Sequence, residues 1–284
     1  MSPRQPGRRF PFGGRARVGG RIVAAAQGSY IAGVRPRSIA GIWFRHALVL
    51  RHTWLTAMSW YFLEPFVALI AVGIGIGRLV QDVEGIPYAI FLTPGVIAGS
   101  AMFHAIFECS WGAFFRIQKG VFETTLTAPV STRELALGEI SWAVTRAIIT
   151  AVCVGAVAAA IGWIESVYGV GVLLAAALIG VQFGALGLIF AALAPNIHVL
   201  SLTFTVVASP LYFFSGAFYP ISALPDWVEP IAWAAPLTPA VHLARGFTTG
   251  NLETSHLLAI VYMLVLSAVL IPIAATLLHR RLVK

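Results

Sequence analysis

His104 and Glu108 stand four residues apart in "HAIFECSWG", with Cys109 directly after them. On a helix this spacing puts an imidazole and a carboxylate on one face, where they could begin a metal site or an acid–base pair. No second thiol or histidine stands at ligand spacing, so His104 and Glu108 read as a structural or lipid-facing polar pair. Cys109 and Cys153 read as small apolar fillers. No residue is assigned to catalysis or to metal. ATP chemistry is also missing, because a Walker phosphate loop needs a Gly-Lys pair and the two lysines, Lys119 and Lys284, follow Gln118 and Val283. Intramembrane enzymes need a nucleophile or metal cluster, and proton-coupled carriers usually line a path with several ionisable groups. Here the acids in apolar surroundings are Glu64 and Glu108.

The elements that carry these residues are membrane spans. Of the 284 residues, 58% are hydrophobic and 11% charged, and the mean hydropathy is +0.85, far from the balance of a soluble domain. Six apolar stretches, roughly 57–80, 87–110, 140–164, 167–194, 197–219 and 256–278, are long enough to cross about 30 Å of hydrocarbon as helices. The expected fold is all-α: a polytopic membrane protein with six transmembrane helices over 39–284. Of 19 Lys and Arg residues, ten are Arg within positions 1–51, and most of the rest alternate with the spans. The positive-inside rule then places both termini and the 111–139 loop in the cytoplasm. The formal charge of +8 follows from that topology and from attraction to anionic lipid, and does not indicate nucleic-acid binding. "RRF" at 8–10 has no apolar run behind it before residue 39, so 1–38 reads as a disordered basic cytoplasmic tail.

Three features refine the bundle. In 39–55, Ile42, Trp43, Leu48 and Leu55 fall near one side while Arg45, His46, Arg51 and His52 supply polar ground, which favours an amphipathic interfacial helix over a ragged start of span one. Gly95 and Gly99, and Gly180, Gly184 and Gly187, recur at intervals that let helix backbones approach closely. Between spans five and six, two short outer helices fit about 226–249. Asp226 and Thr238 are their expected N-caps and Gly250 the terminator, and Trp227, Trp233 and Phe247 are the expected anchors near the outer leaflet. Such helices lie in the interface or are re-entrant ones sheltered by protein.

The segment "RIQKGVFETTLTAPVSTRELALGE", 116–139, is polar and helix-patterned between two apolar runs. Ile117, Val121, Phe122 and Leu126 recur at helical spacing, and Pro129 ends that helix near 128. Ser131 and Glu134 then make a capping box, with Val130 and Leu135 at the staple positions, so a new helix starts at Ser131 and runs into span three. The loop is a rigid knob suited to docking a protein partner.

These residues resemble those of the type-2 ABC exporter permeases, in the nodulation-protein-J-like branch. The likeness rests on "LEPFVALIAVGIGIG", "FECSWGAFFRI", "FETTLTAPVSTRELALGEISWAVTRA" and "SPLYFFSGAFYPISALPDWVEPIAWAAPLTPAVHLARGF", and covers roughly 40–284 in order. The resemblance implies a coupling helix at about 117–128 that docks on a separate ABC ATPase subunit, where ATP and Mg are bound. It places coupling at Phe122, Glu123, Leu126, Pro129, Val130, Ser131 and Glu134. It also implies a second copy of a permease beside this chain in the bacterial inner membrane, and an amphipathic cargo such as a lipooligosaccharide, lipid-linked glycan or hydrophobic drug. Glu64, Phe213, Phe214, Trp233 and Phe247 are the expected substrate pathway. Glu64 either faces the bundle interior or dimer interface, or is structural beside Pro65. The competing function is an ATPase-independent secondary transporter or channel; a membrane-embedded transferase would need acid–base groups that the sequence lacks.

Overall fold

The computed structural model describes residues 34–80 and 82–283, and of Glu64 the backbone only. Residues 1–33 of the expected basic tail lie outside the described residues, as does the Glu64 side chain. Helix α1 runs from Pro36 to Gly77, starting with a proline that has no N–H to leave unpaired. Its one non-helical residue is Thr53, at φ −111° and ψ 17°. The Thr53 hydroxyl donates to the Val49 carbonyl at 3.0 Å, and a side chain that competes for the i−4 carbonyl bends a helix. The expected interfacial helix is therefore the first limb of α1, joined through this kink to span one. Pro65 passes without a break.

A tight hairpin, β1 Asp82–Val83 and β2 Ile86–Pro87, leads to α2, Tyr88–Gln118, which contains a π turn at Glu108–Gly112. After a left-handed Gly120 come α3, Val121–Thr125, and α4, Thr132–Ala160. A 3₁₀ turn at Val167–Gly171 opens α5, Val172–Leu193, followed by α6, Ile197–Phe213. Then α7, Glu229–Ala234, and α8, Thr238–Thr249, precede α9, Thr254–Leu282. Helices α2 and α5 form the buried centre; α4 packs on both, while α1 and α9 flank them.

Among the described residues, five helices are long and apolar enough to cross a membrane, those of α1, α2, α4, α5 and α9, and α6 is a shorter apolar helix. The expected fifth span, 197–219, thus ends as a helix at Phe213, ahead of the left-handed turn at Gly216, φ 75°. The outer helices form, but without the expected caps. Val228 and Leu237 occupy the N-cap positions, Asp226 lies in the turn before α7, and Thr238 is already inside α8. Pro230 and Pro239, in the first two positions, remove a donor that a cap would serve. Gly250 does end α8, at φ 83°.

The small-residue spacing becomes direct helix contact. A methyl group on Gly180 would lie 2.5 Å from the Val144 Cα, and one on Gly184 would lie 2.8 Å from the Ala143 Cβ, so α4 and α5 touch backbone to backbone. Gly180→Val is expected to force them apart at a cost of about 1–3 kcal/mol, read as a lower thermal midpoint of the detergent-extracted protein. Gly75→Val, with nothing within 4 Å of the added carbon, is the control expected to leave the midpoint in place.

Candidate functional site

The knob folds as its local sequence dictates. The Glu134 N–H donates to the Ser131 hydroxyl at 3.1 Å and the Ser131 N–H donates to the Glu134 carboxylate at 2.8 Å, which completes the capping box. Glu134 also takes the Arg35 backbone N–H at 2.7 Å, so it ties the start of α1 to the start of α4. It is buried and satisfied locally. The expected continuous helix over 117–128 is instead broken: α2 ends at Gln118, Gly120 turns at φ 70°, and α3 spans five residues.

Phe122 is 0% exposed and Leu126 7%, and both join the protein's own core. The helical spacing identified an apolar side, and that side is covered by this chain. The face left open carries Glu123, Thr124, Thr127, Ala128, Pro129 and Arg133, while Val130 is half-buried.

Behind the knob lies an ion network that the sequence reading did not contain. Glu139 is fully buried on α4. Its Oε1 accepts from Arg45 at 2.8 Å and lies 3.0 Å from His46 Nε2, and its Oε2 accepts from Arg116 at 2.7 Å. Glu108 accepts from Arg116 at 2.8 Å through Oε1, and from Arg146 through Oε2. The π turn makes the first of these contacts possible. At about 100° per residue, positions eight apart on a plain helix diverge by about 80°, and one inserted residue brings them within about 20°. Glu108 and Arg116 thereby share a face. His46 stacks on Trp142 at 5.3 Å, and Arg146 lies over the Tyr61 ring at 4.9 Å.

His104 does not pair with Glu108. It sits near the Ser100 carbonyl at 2.8 Å and tilts against Tyr61, and both His104 and Glu108 are buried in the bundle. Arg45 and His46, expected on polar ground, turn inward because buried Glu139 supplies their partner. Cys109 is a buried filler. The ligand atoms of His46, Glu108 and Glu139 lie within 4.8 Å of one another, a metal-like spacing. A cation would have to enter among three guanidiniums that already engage all four carboxylate oxygens, so the charge there suits an anion and not a metal. The network reaches the knob through Arg45, whose Nη1 donates to the Thr125 hydroxyl at 3.3 Å.

A cavity of about 400 Å³ forms at the opposite end, lined by Glu84, Glu229, Trp233, His242, Arg245 and Glu253 among others. Arg245 donates to the Gly216 carbonyl at 2.8 Å and lies 3.9 Å over the Phe91 ring. Burial lowers its pKa to about 10. Trp233, 40% exposed, meets His242 edge-on, and Trp227 is exposed. Phe247 is not on the rim but packs against Gly171 and the core. Phe213 and Phe214, 55% and 47% exposed, lie on the flank at the end of α6.

Burial, with His256 and Arg245 close by, holds His242 down to about 4. An unfolded histidine titrates near pH 6.5, so the unfolded chain takes up a proton first as the pH falls. Stability is therefore expected to decline from about pH 6.5 toward pH 4, and His242→Gln should flatten that slope in thermal midpoints taken across the range.

The chain matches the family described as "ABC-2 type transporter" over residues 38–248. It is 32% identical over 247 residues to "Nodulation protein J" of Rhizobium leguminosarum bv. viciae, covering 86% of this chain and 94% of that protein. It is 33% identical over 214 residues to the protein of the same name from Rhizobium leguminosarum bv. trifolii, covering 74% of this chain and 80% of the relative. A third similarity, 26% over 217 residues, is to "Inner membrane transport permease YadH" of Escherichia coli (strain K12), covering 76% of this chain and 83% of that protein.

Proposed function

This chain belongs to the ABC-2 type transporter family as a multi-pass membrane subunit, and from that premise we propose that it is the permease of an ATP-driven exporter. ATP and Mg are bound by a separate ABC ATPase subunit, which docks on the open face of the knob at Glu123, Thr124, Thr127, Ala128 and Pro129. Phe122, Leu126, Ser131 and Glu134 hold that face in position from behind. Both termini and the knob lie on the cytoplasmic side of the inner membrane. A second copy of the permease completes the pathway, with the exposed Phe213 and Phe214 on its walls and Trp233 at the exit; Glu64 belongs to the same pathway, and Phe247 supports the exit helices from inside. The cargo is amphipathic, and the name nodulation protein J carried by several relatives supports a nodulation-related molecule, such as a lipooligosaccharide, over a hydrophobic drug.

The observation that carries this reading is the knob itself: a polar tip fixed by a capping box and tied to the bundle interior through Arg45 and Thr125. A loop that only rested on lipid would not need that anchoring. Affinity purification of the tagged permease from its native membrane is expected to recover an ATPase with a phosphate loop, and addition of the permease should raise that ATPase's turnover. Recovery of the permease without an ATPase, with transport intact, would replace this reading by the secondary transporter or channel.

A further inference from the structure

Positive charge exceeds negative in the network behind the knob. Arg45, Arg116 and Arg146 stand against Glu108 and Glu139, so each guanidinium touches a carboxylate while the cluster keeps one more guanidinium than carboxylate. Beside the network is a cavity of about 440 Å³, and all three arginines line it together with Tyr61 and Glu108. Three buried donors on this lining have no hydrogen-bond partner among the described residues: Arg116 Nε, Arg146 Nε and the Tyr61 hydroxyl. Tyr61 is 0% exposed, and Arg146 lies 4.9 Å over its ring. A net positive charge in a largely enclosed cluster and unpaired buried donors are each unfavourable, and one oxyanion would offset both. His46 and Thr53 add polar groups to the lining, while Val49, Leu50, Ala57 and Trp142 give an alkyl chain attached to the anion a surface to follow.

We propose that this cavity is an anion-binding site for a phosphate-class headgroup, with the Tyr61 hydroxyl and the Arg45, Arg116 and Arg146 guanidiniums as donors. The chemistry is shared by a phospholipid-like amphiphile and by free phosphate. Val121 of the knob also lines the cavity, and Arg45 spans from Glu139 to Thr125, so a bound anion sits next to the segment assigned to ATPase docking. That the anion is cargo rests on the export reading; that the site exists does not.

The test uses the full chain, without ATPase, in phosphatidylcholine nanodiscs, with dodecyl phosphate, dodecylphosphocholine and inorganic phosphate as probes and calorimetry as readout. Dodecyl phosphate is expected to bind about tenfold or more tighter than dodecylphosphocholine. Tyr61→Phe removes only the hydroxyl, and should weaken dodecyl phosphate about tenfold while leaving the thermal midpoint unchanged. Arg45→Gln removes the surplus charge while Glu139 keeps Arg116 and His46, and should weaken the same probe to a similar degree. Inorganic phosphate binding as tightly as dodecyl phosphate, with the same dependence on Tyr61, would support the site and make free phosphate its occupant; weaker inorganic phosphate would support it with the amphiphile as occupant. Absence of binding by all three probes, or unchanged affinity for dodecyl phosphate in both variants, would overturn it. Capture of the ATPase by the same nanodiscs is read separately, so the loss of one result does not remove the other.

Discussion

Glu139→Gln is expected to cost about 3–5 kcal/mol of folding stability and to abolish most of the folded yield, although glutamine has nearly the same shape. Glu139 is 0% exposed and neutralises Arg45 and Arg116 at 2.8 Å and 2.7 Å, so removing its charge leaves Glu108 alone against three guanidiniums. Buried pairs add little to stability compared with an apolar replacement, but breaking one strands its partner in a poor solvent. The double change Glu139→Gln with Arg45→Gln should therefore recover part of the loss. Size-exclusion profiles and thermal midpoints of the four proteins in the cycle measure this. Additive losses would mean that the two side chains act independently and that the network is not a unit.

Thr124→Arg combined with Ala128→Trp is expected to reduce ATPase capture by about tenfold or more while leaving permease yield at the wild-type level. Both positions are open on the knob, so added bulk there meets a partner and not the chain itself. Phe122→Ala should behave in the opposite way. Its ring is buried in this chain's core, so truncation is expected to cost about 3–5 kcal/mol of stability and to lower yield, with capture per folded molecule retained. Pull-down of the ATPase, normalised to folded permease, separates the two. Wild-type capture by the double variant would sink the docking face.

Local features of the knob were legible in the sequence because their causes are local. The Ser131–Glu134 box spans four residues, Pro129 is its own signal, and elsewhere Gly250 ends α8 just past its last apolar-patterned turn. Intervals of small residues likewise marked a close-approach face on α5, while the helix that meets it, α4, came only from the packing. The ion network was not legible, because Arg45 and Glu139 are 94 residues apart and Arg146 and Glu108 are 38 apart. Only the packing of α1, α2 and α4 brings them together, and a plain helical wheel puts Glu108 and Arg116 on different faces until the π turn is known. Phe122 shows a different limit: periodicity reports which side of a segment is apolar, and says nothing of whether that side meets a partner or its own bundle. The continuity of α1 was hidden for a similar reason, since Arg45 and His46 look like solvent-facing groups until Glu139 is found beneath them.

Helix α6 has a consequence for the lipid around it. Its 17 residues, Ile197–Phe213, reach about 25 Å at 1.5 Å per residue, against a hydrocarbon layer of about 30 Å. A membrane helix that is too short draws the two leaflets toward each other or makes its flanking polar side chains stretch outward. Leu202 and Val206 are more than 60% exposed, so where lipid covers this side of α6 the mismatch falls on the bilayer. A bilayer in contact with that side would thin there, and a polar headgroup crossing beside α6 would have a shorter apolar distance to travel than along the longer helices.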